Sequence, residues 1–207
     1  VGSEMCIRDR VEIANNALNA IGATNITALD ENSKAARVIS QVYANVRNET
    51  FRAHPWNCLI KRADLAKDTT GPTYGYSNSY TLPVDPFCLR VLEFSNGTST
   101  YPFDNLTNNT GGSVFVIEGR KLLTDEDTAK IKFVARSEDP NEYDAGLIGT
   151  LSARLAYSIA YALTGSTTVV QLQKALYDER LREARFIDAT EGAPQRIEAS
   201  DLIESRL

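Results

Sequence analysis

The segment RAHPWNCLIKRADL, residues 52–65, holds the chain's single histidine and single tryptophan, His54 and Trp56, separated by Pro55. Before it, apolar residues recur at helical spacing. After it they alternate, or cluster in short runs broken by Gly, Pro and Asn. A helix ends before Pro55, because the residue preceding a proline is pushed out of the helical region. The segment is therefore either a reaction centre or a corner between two kinds of structure. His54 and Cys58 stand four apart, which invites a Cys–His nucleophile. The proline, however, breaks the helix that would place both on one face, and no third group is identifiable to orient the imidazole. We read His54, Pro55 and Trp56 as a structural corner, with the indole plugging the junction between helices and sheet.

Working outward from the corner, Ala14, Ala17, Leu18 and Ile21 recur at three and four after Val11, and Gly22 follows as a helix stop. Asp30 is expected to cap a second helix, with Ala35, Val38, Ile39, Val42 and Val46 apolar and Lys34, Arg37 and Arg47 in water. Beyond Trp56, residues 58–65, 79–82, 87–94, 113–117, 121–123 and 129–136 read as strands. In the last, Ala129, Ile131, Phe133 and Ala135 share a face. Gly119 makes VIEGRKLL a hairpin. Helical spacing returns at Leu147, Leu151, Leu155, Ile159 and Leu163. A fourth helix is then expected to bury Leu172, Leu176, Leu181 and Ala184 beneath a charged face. The predicted class is α+β: a four-helix bundle formed by N- and C-terminal helix pairs, with an inserted small antiparallel β domain. The helical domain takes residues 11–56 and 144–190, the β domain 57–143, and 191–207 reads as an extended tail.

Residues 1–10, VGSEMCIRDR, do not fit the helix pattern that follows. Their possible codons match a transposon end and primer ligated to DNA in sequencing libraries. They are expected to be a translated adapter scar outside the fold, with the true N-terminus missing. At 207 residues, 43% hydrophobic and 24% charged, the chain has an ordinary globular composition. Its net charge of -5 and scattered Lys and Arg argue against general nucleic-acid binding. No apolar run approaches the roughly 20 residues needed to span a bilayer, so a cytoplasmic, non-membrane protein is expected. Cys6, Cys58 and Cys88 form no CxxC pair, and no metal or cofactor is expected. Glu118, Asp125, Glu126 and Asp127 cluster near turns, where a glycosidase pair is conceivable, but a solvated turn accounts for them. TGPTYGYS and NNTGGS lack the order of a phosphate loop.

Four segments in order, ALNAIGATNITALDENSKAARVISQVY, FRAHPWNCLIKRADLA, YGYSNSYTLPVDPFCLRVLEF and IEGRKLLTDEDTAKIKFVARSEDPNEYDAGLIGTLSARLAYSIAYALTGS, resemble the tail tubular protein A family of short-tailed bacteriophages, the head-to-tail adaptors or gatekeepers. HPWN followed by KRADLA, and Tyr80-Thr-Leu-Pro83 with Leu89-Arg-Val91, carry the likeness, which covers about residues 11–192. VDPFCLRV departs from the family by a slightly longer strand entry. The resemblance implies a non-enzymatic virion protein, assembled in the host cytoplasm. It implies a homo-oligomeric ring, typically dodecameric, bound to the portal protein and the tail nozzle protein, with DNA passing through the lumen unbound. In the family the HPWN segment marks the passage from helix to β domain.

The residues add to this expectation. The mixed charges of Lys174, Asp178, Arg182 and Arg185 suit contact between identical subunits. Ile197, Leu202, Ile203 and Leu207 suit a tail that docks on the portal. Twelve copies at -5 each carry about -60, a field that lets DNA slide. The alternatives are another phage neck or joining protein, or a tail-associated glycan hydrolase.

Overall fold

The computed structural model describes the backbone of residues 2–102 and 114–191, and the side chains of residues 10–101 and 114–191. Over the described residues it is α+β, with four helices and two small antiparallel sheets lying between the second and third helices in sequence. Helix α1 spans Gly2–Ala20 and α2 spans Lys34–Ala53. The strands are β1 Ile60–Leu65, β2 Asn78–Thr81, β3 Cys88–Ser95, β4 Thr100–Pro102, β5 Phe115–Glu118, β6 Lys121–Thr124 and β7 Ala129–Ala135. Helices α3, Ala145–Thr164, and α4, Thr167–Glu191, follow. Short 3-10 turns occupy Asn57–Leu59 and Pro140–Glu142.

Gly22 stops α1 in the left-handed region, at φ 71°. There the Ala23 amide donates to the Leu18 carbonyl at 2.9 Å and the Gly22 amide to Asn19 at 3.1 Å, a pair of bonds that closes a helix on a glycine. At its other end α1 begins at Gly2 rather than Val11. Extending an existing helix gains one bond per residue fixed, so the pattern need not be apolar to propagate. The cap of α2 also differs from expectation. Ser33, not Asp30, accepts from the Ala36 amide at 3.1 Å. The buried stripe of α2 includes Ala36, Ile39, Tyr43, Val46 and Phe51, and it takes in Arg47, expected in water. The Arg47 guanidinium lies 3.5 Å from Glu138, whose carboxylate also meets Arg136 at 3.6 Å. A buried Arg needs such partners.

Asp144 caps α3, accepting from the Leu147 amide. Leu147, Leu151, Leu155 and Ile159 are fully buried along one face, each worth about 1.5–3 kcal/mol relative to exposure. This helix packs against α1, α2 and α4, and its apolar face joins one core with Leu18, Ile39, Phe51 and Trp56.

The first sheet has the order β1-β7-β3-β4 and the second β2-β6-β5. Their facing sides share a second core, which includes Tyr80, Val91, Phe94, Phe115, Leu122, Ile131 and Phe133. The first sheet is a middle layer, because Val134, Leu89 and Leu92 on its other side pack into the helical core. Strand β3 sends Cys88, Val91 and Phe94, three apart, into the inter-sheet core. Register shifts against β7 between Cys88 and Arg90, and again between Val91 and Glu93, allow this, since a bulge interrupts strict alternation. The β5–β6 hairpin turns through Gly119 and Arg120, with Gly119 at φ 57° and Glu118 paired to Lys121. A two-residue turn with positive φ only at its first position is type II′.

Candidate functional site

Trp56 is fully buried and its indole N–H donates to the Thr50 carbonyl at 3.0 Å. The His54 ring meets it edge-on, with centroids 5.0 Å apart. These residues follow the end of α2, and a partner from the far end of the chain holds them. His54 Nε2 donates to Asp188 Oδ2 on α4 at 2.8 Å, the Asn57 amide donates to Asp188 Oδ1 at 3.1 Å, and the Asn57 side chain donates to the Asp188 carbonyl at 2.7 Å. A carboxylate only accepts, so with Asp188 in that form His54 Nε2 is the donor of this bond. Arg185, one turn earlier on α4, donates to the Ala53 carbonyl. Pro55 thus sits in a corner tied by four hydrogen bonds to α4.

The corner is poorly suited to nucleophilic chemistry. Burial, assisted by the nearby carboxylates of Asp144 and Asp188, pushes the Cys58 thiol up to about 11, so the thiol stays protonated at neutral pH, when a nucleophile must be thiolate. His54 has committed Nε2 to Asp188. The acidic turn is likewise occupied by fastening. Asp125 accepts from the Ser77 amide and hydroxyl at 2.8 and 3.0 Å, and the Glu126 carbonyl accepts from Tyr80 at 2.8 Å. Lys67 meets Asp127 at 3.0 Å and holds its carboxyl below the ordinary range. Glu118 lies exposed at the β5–β6 hairpin.

Helix α4 carries the surface of most interest. Its buried stripe is Gln173, Ala184 and Asp188, with Tyr177 and Leu181 half-buried. Leu172 and Leu176, expected inside, are 56% and 39% exposed, and Phe186 and Ile187 are 73% and 53% exposed. The reason lies in what α3 accepts. A Cβ on Gly146 would stand 3.3 Å from that of Ala184, so the helices approach closely there and small or polar residues take the contact. Gln173 reaches the C-terminus of α1, donating to the Ala20 carbonyl at 2.8 Å.

Counting 100° per residue, Leu172, Leu176, Phe186 and Ile187 share an arc of about 100° with Glu179 and Glu183. Lys174, Asp178, Arg182 and Arg185, all exposed, line a second arc on the other side of the buried stripe. Ile197, Leu202, Ile203 and Leu207 lie outside the described residues. Sequence reasoning missed Asp188 and Gln173 as structural partners, because neither has a signal in hydrophobic periodicity. Among the described residues no His, Cys, Asp and Glu group is arranged to hold a metal, and no helix is long and apolar enough to cross a membrane. The chain matches no protein-family model and no curated protein.

Proposed function

We propose that the chain is a structural virion protein, a ring-forming head-to-tail adaptor of a short-tailed bacteriophage. It joins portal to tail nozzle and surrounds the DNA exit channel. In this reading the four helices act as one bundle, built from the N- and C-terminal pairs, and the two sheets form the inserted β unit. The ordered motifs HPWN, KRADLA, YTLP and LRV support it.

The observation that carries the reading is the solvent-facing apolar stripe of α4. Four large apolar side chains on one arc of a 25-residue helix are an unusual display for a chain that stays alone. The two outer arcs also differ in charge. The apolar arc carries Glu179 and Glu183, with Arg180 at its edge pairing Glu183 at 3.5 Å, while Lys174, Arg182 and Arg185 outweigh Asp178 on the other. Unlike faces on one subunit suit head-to-tail contact between copies, the kind that closes into rings.

The test is assembly of the purified chain with its cognate portal, followed by cosedimentation and negative-stain microscopy. Rings on portal are expected for the wild type. Leu172→Ser with Phe186→Ser should abolish them while the free chain's stability stays within about 0.5 kcal/mol, as for exposed positions. Truncation after Gln195 separates tail docking from this face, since it should block portal binding without changing helix content. A wild-type chain that neither forms rings nor binds portal overturns the reading.

A further inference from the structure

A cleft of about 420 Å³ lies between the end of α2, strand β3 and the β5–β6 hairpin. Arg52, Arg90 and Arg120 line it, with Leu82, Val91 and Ile117 among the apolar walls. Among the described residues no carboxylate lines it and none forms an ion pair with any of the three arginines. That is unusual in a chain whose acids outnumber its Lys and Arg by 27 to 22. Arg136 nearby shows the contrast: it stacks on Phe87 at 4.9 Å and is met by Glu138 at 3.6 Å.

The guanidiniums are held but not used up. Arg120 lies 4.0 Å over the Phe87 ring and donates to the carbonyls of Cys88 at 2.6 Å and of Leu82 and Pro83. Arg52 donates to the Leu89 carbonyl at 2.9 Å. Each guanidinium has five N–H donors, so both keep donors in reserve after these contacts. Carbonyls fix the positions of the two groups and leave their charges unmatched. Arg90, half-buried on β3, adds a third charge.

We propose that this cleft binds an acidic side chain carried on an apolar peptide segment of a partner protein. The forked guanidinium matches the planar carboxylate in pairs of parallel bonds, and Leu82, Val91 and Ile117 supply contact for the apolar flanks. A freely hydrated phosphate gains nothing from those walls. The volume falls at the small end of ligand cavities, roughly 300–1,000 Å³, which fits one or two side chains. The site is independent of the adaptor reading, because it concerns the isolated chain and none of its lining residues belongs to α4.

The experiment titrates the ¹⁵N-labelled full chain with acetyl-Leu-Glu-Leu-amide, with acetyl-Leu-Gln-Leu-amide and with inorganic phosphate, following amide shifts. Saturable shifts centred on residues 88–91 and 117–120 are expected with the Glu peptide. Binding should weaken about tenfold or more with the Gln peptide and in Arg90→Gln, as loss of a charge-assisted hydrogen bond implies. Arg90→Lys, which keeps the charge and loses the fork, should fall between. The melting temperature of Arg90→Gln should match wild type, so that weakened binding is not unfolding. Equal binding of the Glu and Gln peptides overturns the proposal. So do tighter binding of phosphate than of the Glu peptide and an absence of saturable shifts.

Discussion

Asp68 shows how single polar residues fasten the two sheets' connections. Its carboxylate accepts from Lys121 at 2.6 Å, Ser79 at 2.7 Å and Thr81 at 2.9 Å, and these contacts, Lys121 foremost, hold its pKa down to about 2. In an unfolded chain an Asp titrates near about 3.9. A value depressed by folding stabilises the native state above the unfolded value and ceases to do so as pH falls through the folded one. The Asp68 contribution is thus complete above about pH 4 and gone near about pH 2. Thermal melts of wild type and Asp68→Asn should differ above that window and converge within it. A gap that stays constant down to the acid end would assign the effect to altered hydrogen bonding rather than to charge. At the corner, Asp188 serves similarly, but its partners His54 and Asn57 lie more than 130 residues away in sequence. No local pattern announces such a contact. Burial pushes the Cys58 thiol up to about 11, away from the thiolate that the legible Cys–His spacing would need.

Elements whose identity is set by strong local rules were readable, and their faces were less so. Pro55 ended α2 near Ala53, Gly119 turned the β5–β6 hairpin, and the four-residue rhythm from Leu147 to Ile159 marked α3. The failures have a common physical source in tertiary packing. Leu172 and Leu176 repeat the rhythm seen in α3, yet close approach at Gly146 and Ala184 selects a different stripe of α4 for burial. Strand β3 breaks the two-residue alternation with register shifts, so its inward residues recur at three. Strand β4 is only three residues long, too short to show a period. The start of α2 tests the same distinction between pattern and geometry. Asp30 and Ser33 both have capping side chains, but only Ser33 accepts from an amide of the first turn, that of Ala36. Ser33→Ala should cost about 1 kcal/mol, within the usual 0.5–2 for a lost cap. Asp30→Ala should stay within about 0.5 kcal/mol. Urea titrations of the two variants decide it; the reverse order would return the cap to Asp30.

On the scale of the whole molecule, the question is whether helices and sheets are separable units or one cooperative body. The sequence reads as two domains, divided at Trp56 and again near residue 143. Three observations favour cooperation. The first sheet buries Val134, Leu89 and Leu92 against the helices and Val91, Phe94, Ile131 and Phe133 against the second sheet, so it belongs to both cores. Arg52 on α2 is bonded to the Leu89 carbonyl on β3. Trp56, completely buried, joins the helical core directly before the chain enters β1. Trp56→Ala should therefore cost about 3–5 kcal/mol, the range for a large aromatic truncated in a core. It should lower the whole molecule's stability rather than loosen one part. The measurement pairs far-ultraviolet dichroism, which follows the helices, with the resolved NMR signals of Tyr80 and Tyr101 in the sheet region. In wild type and in Trp56→Ala the two transitions should coincide, as two-state unfolding requires, and shift together. If the helical signal moves while the tyrosine signal stays, the sheets fold independently of the corner, and Trp56 serves the helices alone.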